Sequence, residues 1–260
     1  IRVVYEAHKE PRTKIANFII NNLKKKNNFL LVTISKALKN YYINDYSFKD
    51  SKIVDCHDAV FIENYDKYRN IPKNILRKEL DLPQDKTIIM HTGSLHKGND
   101  AKLFKIVIEN FKDLLFVQVG GTKQDISKYK QYYKNNNNIV FIRHQNHKDI
   151  IKYQMSADLL FYALTKTNQL WWCTSPLKIF EYMATGIPIL NSNIGSVSEV
   201  LNELNSIPFS PEDEQTIING VNYFLENKAE IKHLAIRALI DIKDKYTWDK
   251  RAISILEFIK

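Results

Sequence analysis

Short runs of consecutive apolar residues recur along the chain, and between them apolar positions fall three or four apart. The runs lie at about residues 2–6, 29–34, 51–55, 87–92, 114–119, 138–142, 157–162 and 187–190. They are β-branched and uninterrupted, the pattern of strands covered on both faces of a sheet. Helical periods lie near 12–26, 35–42, 72–80, 100–111, 123–134, 147–155, 176–185 and 196–203. Three more fill the tail, at about 211–226, 228–242 and 246–259, the first opened by Pro211 with Glu212 and Asp213. Strand alternating with helix predicts an α/β protein with parallel sheets.

A polar break, Asp81-Leu82-Pro83-Gln84-Asp85-Lys86, divides the chain before a fresh strand. Residues 84–245 hold about five strands and read as a complete Rossmann-like unit. Residues 1–83 hold about three, where such a sheet commonly has about six. A three-stranded parallel sheet leaves an edge unpaired, so the first domain reads as truncated. The chain opens in strand residues, Ile1-Arg2-Val3-Val4-Tyr5, without an initiating Met or a charged-then-apolar leader, and reads as a processed or truncated product.

Glycine sharpens the picture. There are seven, against about eighteen expected at ~7% usage, and none precedes Gly93. Most of them follow a strand, and the strand ends of doubly wound sheets form the ligand crevice. The segment Ser175-Pro176-Leu177-Lys178 through Gly186 then reads as a short helix, with Ser175 as cap, Pro176 in the first turn and Gly186 at the end. Leu177, Phe180 and Ala184 form a stripe toward the sheet. Lys178 is out of place, because a cation in the first turn opposes the helix dipole by about 0.3–1 kcal/mol. A phosphate group at the helix start removes the conflict, since backbone N–H groups there bind anions; a lysine reaching into water is the alternative. Glu181 shares the face of Lys178 one turn on, where a carboxylate can accept from the vicinal hydroxyls of a ribose or simply be exposed.

Composition excludes several classes. Hydrophobic residues at 44% and charged residues at 26% fit a folded soluble chain rather than a disordered one. No apolar run is long enough to span a bilayer. Cys56 and Cys173 read as free thiols, and the histidines 57, 91, 144, 147 and 233 show no ligand spacing, so no metal is assigned. The net charge of +9 favours an anionic partner, but the basic residues are spread out apart from Lys24-Lys25-Lys26. No nucleic-acid motif accompanies them. The amphipathic stretch from Arg12 to Lys26 reads equally as core and as a membrane-surface helix.

Residues 175–188, continued by Ile189-Leu190-Asn191-Ser192 and Ser196-Val197-Ser198-Glu199-Val200, resemble the donor-site stretch of family 4 retaining glycosyltransferases. Other segments match in order: Val4-Tyr5-Glu6-Ala7-His8, Val32 to Lys39, Val54 to Phe61, Thr92-Gly93-Ser94-Leu95 and Tyr246 to Arg251. The resemblance implies the glycosyltransferase B fold, two facing Rossmann-like domains. Here these are a partial acceptor-side domain (1–83), a donor domain (84–245) and a tail helix (246–260) packing back on the first. It further implies a nucleotide-diphosphate sugar donor, linked to UDP or GDP, and a saccharide or lipid-linked acceptor. No cofactor or nucleic acid is expected, and the location is cytoplasmic or at the inner face of a membrane. By resemblance, Glu181 holds the ribose, and Cys173, Thr174, Ser175, Pro176, Leu177 and Lys178 line the donor site at the diphosphate and sugar. Gly93 and Ser94 form the first donor loop, Arg143 and His144 face the base, and His8 reaches the sugar from the first domain.

Two stretches depart from the family pattern. Ser94 stands where an Arg is common, and Asn99 or Asp100 near where a Lys is common, leaving Lys97 beside Gly98 as the loop's cation. Cys173 stands eight residues before Glu181, where many members have a Glu, and a thiol does not replace a carboxylate as acceptor. Both departures keep open a non-catalytic pseudo-glycosyltransferase. Trp171 and Trp172 offer flat faces for a sugar or base, or for packing.

Overall fold

The computed structural model describes residues 2–95 and 101–260. In the first part, β1 (Val3–Ala7), β2 (Phe29–Thr33) and β3 (Ile53–Asp55) form a parallel sheet in that order. The crossover helices α1 (Lys14–Leu23) and α2 (Lys36–Tyr46) begin at Thr13 and Ser35, whose hydroxyls accept from Ala16 N and Leu38 N. Two short helices follow, α3 (Glu63–Arg69) and α4 (Lys73–Glu79).

The second sheet alternates with helices as the periodicity predicts: β4 (Ile88–Thr92), α5 (Ala101–Asn110), β5 (Leu115–Val119), α6 (Lys123–Tyr132), β6 (Ile139–Ile142), α7 (His147–Ser156), β7 (Leu159–Tyr162), α8 (Leu177–Thr185), β8 (Ile189–Ser192) and β9 (Ile207–Phe209). The tail is α9 (Glu214–Glu226), α10 (Lys228–Lys245) and α11 (Trp248–Ile259). The strand order is β6-β5-β4-β7-β8-β9, every pair parallel. The order reverses between β4 and β7, so a crevice opens outside their C-terminal ends. Apolar clusters cover both faces of this sheet, one including Ile88, Met90, Phe180 and Tyr182, the other Ile89, Phe104, Phe116 and Phe161.

Several expectations are corrected. Strand β9 was not foreseen; it is a three-residue edge strand containing Pro208, too short to show a period. The stretch 196–203 is a 3-10 turn over Gly195–Glu199 rather than a helix. Gly195 has φ 55° and sits where a Cβ would lie 2.1 Å from the Trp171 carbonyl oxygen, so the chain is pinned before a helix can wind. Pro211 lies ahead of α9, which Asp213 caps by accepting from Gln215 N. Among the described residues β1 pairs with β2, and Val3, Val4 and Tyr5 are exposed. In the stretch from Arg12 to Lys26, Ile20 is buried while Ile15, Phe18 and Ile19 are exposed. Finally, Val60, Tyr65, Leu76 and Leu82 join the core of the second sheet, so packing changes sides near Val60 rather than at residue 83.

The two sheets are tied together at several points. Val60 bridges to Thr247, and Arg251 of α11 donates to the His57 carbonyl oxygen at 2.9 Å and pairs with Glu6 at 2.9 Å.

A half-buried ion cluster clamps α4 to the second sheet. Arg77 is 5% exposed and donates to Asp158 Oδ2 at 2.6 Å, where Ile88 N also donates at 2.7 Å; Lys73 reaches Oδ1 at 2.7 Å. Removing one partner of a buried pair costs about 3–5 kcal/mol. We therefore expect Asp158→Asn to lose about 3 kcal/mol in urea unfolding at pH 7, because it strands the Arg77 guanidinium. Burial opposes ionisation of Asp158, but the bonds from Lys73, Ile88 N and Arg77 win and hold its carboxyl below the usual range. Its contribution is thus full above pH ~4 and fades as pH falls through the depressed value, and the wild-type minus variant difference should shrink in that window.

Candidate functional site

The ends of β4, β5 and β6 are stitched in sequence. Gly93 N donates to Val119 O at 2.7 Å, Gly120 N to Ile142 O at 2.9 Å, and His144 N to Gly121 O at 3.3 Å. Gly93 and Gly120 have φ of 142° and 120°, and a Cβ on Gly120 would lie 2.3 Å from Gly93 O. Only glycine allows two loops to meet this closely. Above them opens a cavity of about 420 Å³, lined by residues 92–94, 119–121 and 144–147 with Ile150, Lys178 and Glu181.

Helix α8 delivers the last two. Its capping position is occupied by Pro176, not Ser175, and no side chain caps it, unlike α1, α2, α6, α7, α9 and α11. The Ser175 hydroxyl is engaged elsewhere, accepting from Asp58 N at 2.8 Å. Lys178 is half-buried, with its ammonium tucked beneath Gly93; a Cβ there would lie 2.2 Å from Nζ. Nζ stands 3.0 Å from His91 Nε2 and 5.9 Å from the ring centre of Tyr162. Burial pulls the Lys178 pKa down to about 8, against a smaller opposing pull from Glu181.

Glu181 is held by a polar net. Its Oε2 accepts from Gln154 Nε2 at 3.2 Å, and His147 Nε2 is 3.6 Å from Oε1. Gln154 is fully buried, also donates to Thr92 Oγ1 at 3.0 Å, and accepts from the Tyr65 hydroxyl at 3.2 Å. The Tyr182 hydroxyl accepts from Thr92 N at 2.8 Å. The result is an ammonium and a carboxylate at one crevice, one turn apart on a helix that no side chain caps, a set suited to a diphosphate next to a diol.

The structure thus brings together Gly93, Ser94, His144, Lys178 and Glu181. Arg143 follows β6, exposed beside the cavity but outside its lining. Thr174, Ser175 and Pro176 form the approach to α8, and Leu177 is 50% exposed at its start rather than packed on the sheet. Cys173 is corrected outright. Its side chain is fully buried with Phe29, Leu31 and Ile53 in the first sheet's core, where burial raises the thiol to about 12. Trp172 packs on Tyr41 there, and Trp171 packs against the second sheet's core. His8 lies on the first sheet, largely exposed and 2.8 Å from Glu6, lining a separate cavity with Glu10, Arg12 and Tyr42. Lys97, with Asn99 and Asp100, lies outside the described residues.

Sequence reasoning missed Gln154, His147 and Glu199. Glu199 accepts from Lys36 N and Ala37 N at 2.8 Å each, so it caps α2 of the first sheet from the second. It also meets His57 Nε2 at 2.9 Å. Burial opposes its ionisation, but the bonds from His57, Lys36 N and Ala37 N hold its carboxyl below the usual range.

Residues 72–239 match the family model described as glycosyl transferases group 1. An uncharacterized glycosyltransferase of Methanocaldococcus jannaschii is 22% identical over 229 residues, which are 85% of this chain. The chain spans 57% of the length of that relative. Among solved structures, a glycosyltransferase of Rickettsia africae superposes with a TM-score of 0.81 at 17% identity, over 99% of this chain and 69% of its own. Anabaena HepE, solved in complex with UDP, superposes with a TM-score of 0.81 at 17% identity, over 98% and 71%. These likenesses show the two-sheet glycosyltransferase B architecture, and with the family match over most of its length the chain belongs to the glycosyl transferases of group 1.

Proposed function

We propose that the protein transfers a sugar from a nucleotide-diphosphate sugar to a saccharide or lipid-linked acceptor, with retained anomeric configuration. The observation that carries this is the joint placement of Lys178 and Glu181, one turn apart at an uncapped helix start over the switch-point crevice. In this reading Glu181 accepts from the ribose hydroxyls, and Gly93, Gly120 and Gly121 let backbone approach the diphosphate. Lys178 and the first N–H groups of α8 meet the charge that grows on the leaving diphosphate. The sugar C1–O bond to the phosphate breaks while an acceptor oxygen bonds C1 on the same face, its proton passing to the leaving phosphate oxygen. A metal and a cofactor have no part in this reading; charge is met by fixed donors that need no reorganisation. Uracil is the base favoured, because Anabaena HepE is solved with UDP and with UDP-glucose. An acceptor at the inner face of a membrane fits the exposed Ile15, Phe18 and Ile19 of α1 beside Lys24 to Lys26. Among the described residues no helix is long and apolar enough to cross a membrane.

A second reading, donor binding without turnover, is favoured by Cys173, which is sealed in a core where many relatives carry an acid.

UDP should raise the melting temperature, and at a hundredfold excess over Kd the gain is about 2.7 kcal/mol. Glu181→Ala should lose most of it; an unaltered shift in that variant, or no shift with UDP or GDP, refutes the site. Lys178→Ala should lower kcat by about 10²–10³-fold in a donor-hydrolysis or transfer assay. UDP bound by the wild type with neither hydrolysis nor transfer would select the second reading. Because the charged ammonium binds the anion and its pKa is about 8, donor affinity should weaken as pH rises through that value.

A further inference from the structure

Behind Lys178 two polar side chains are buried within the sheet itself. His91 on β4 and Gln118 on β5 are register partners, both fully buried. Such a pair is costly unless its bonds are made. Here each bond has a direction. The Gly93 carbonyl can only accept, so Gln118 presents its amide nitrogen there, at 2.8 Å. That turns Gln118 Oε1, an acceptor, toward His91 Nδ1 at 2.6 Å, and Nδ1 must carry the ring proton. Nε2 keeps its lone pair and faces Lys178 Nζ at 3.0 Å. Phe104 packs on the imidazole, ring centres 4.9 Å apart, and fixes its plane.

We propose that His91 and Gln118 are positioning residues for Lys178: the Nε2 lone pair holds the ammonium charged at the cavity floor, and Gln118 sets the tautomer while anchoring the Gly93 loop above it. Its consequence for donor binding rests on the reading above; the proton arrangement does not. Among the described residues, the groups facing Lys178 are Glu181 on its own helix, His91 on β4 and the Tyr162 ring on β7. Burial, and then the Lys178 charge, push His91 well below the usual imidazole range. A protonated ring would place two cations 3.0 Å apart, so the array works with lysine charged and histidine neutral.

The first test is nitrogen-15 NMR of the ligand-free wild type with labelled histidine and lysine. His91 is expected as the neutral, Nδ1-protonated tautomer from about pH 5.5 to 8, around its ordinary value of about 6.5. An Nε2-protonated ring, or an imidazolium near pH 6, overturns the proposal. The second test compares His91→Phe, which keeps the packing on Phe104 but removes the acceptor, with His91→Gln, whose carbonyl returns one near Nε2. In His91→Phe the Lys178 titration should fall by about one pH unit, and UDP affinity should drop about fivefold at pH 8 yet hardly at pH 6. His91→Gln should restore most of both. An unmoved Lys178 titration, or an equal loss of affinity at both pH values, overturns the positioning role. If the wild type binds neither UDP nor GDP, the functional reading fails, while the two NMR titrations still decide this one.

Discussion

A charged amine has to be kept at the floor of a crevice, and a glycine makes the room. The ammonium of Lys178 lies within 2.2 Å of where a Cβ on Gly93 would stand. Any other residue at 93 would push it out and would also have to adopt φ 142°. The same economy repeats one strand over, where Gly120 lets its loop touch Gly93 O. With both side chains absent, three strand ends finish at one level and leave a floor made of backbone. A lysine in the first turn of α8, unfavourable against the helix dipole alone, becomes tolerable because a neutral imidazole accepts from it and Glu181 lies one turn away.

The start of α8 is also fixed from the other sheet. Asp58 N donates to Ser175 Oγ, His57 Nδ1 lies 3.5 Å from that hydroxyl, and His57 Nε2 meets Glu199, which caps α2. Ser35 Oγ of the first sheet donates to Cys173 O at 2.9 Å. The approach to α8 is thus bonded to the first sheet at Ser175 and Cys173, two and four residues before the helix. Movement of one sheet against the other would be felt at the helix start. This explains why Ser175 does not act as a cap: its oxygen is spent on joining the sheets, and no side chain caps α8.

Most of the second sheet was legible in the sequence because its strands are buried on both faces and read as plain apolar runs. Gly93, Lys178 and Glu181 were legible because each breaks a local rule: a rare glycine at a strand end, a cation at the wrong helix end, an acid on its face. Ser175 and Cys173 misled for opposite reasons. Ser175 carries the chemistry of a cap, but a distant backbone N–H competes for it. Cys173 lies in line with an acid of the family, but the loop carries it into the first sheet's core beside Trp172. Gln154, His91 and Gln118 gave no signal, since a polar residue within an apolar run is indistinguishable from noise until its partners on other strands and helices are known.

The placement of the cavity lining has a consequence for how recognition divides. Residues 92–94, 119–121, 144–147, 150, 178 and 181 all lie on the strands of the β4 to β9 sheet, the loops after them or helices α7 and α8 packed on it, and so do their supporting residues His91, Gln118, Gln154 and Tyr182. Tyr65, a support from earlier in the chain, sits on α3, which packs with that same core, while Asp58 N holds the approach to α8 at Ser175. The groups that would hold a nucleotide are therefore preorganised by one core, and β1 lies in another. His8 and Glu6 line a second cavity with Tyr42 of the first sheet's core, and Arg251 pairs with Glu6. A substitution near β1 can then alter what meets His8 without disturbing the floor under Gly93, whereas one at Asp58 or Glu199 sits where both cores meet. In the proposed reading, donor affinity and acceptor choice would be separable to the extent that this short hydrogen-bonded seam stays intact.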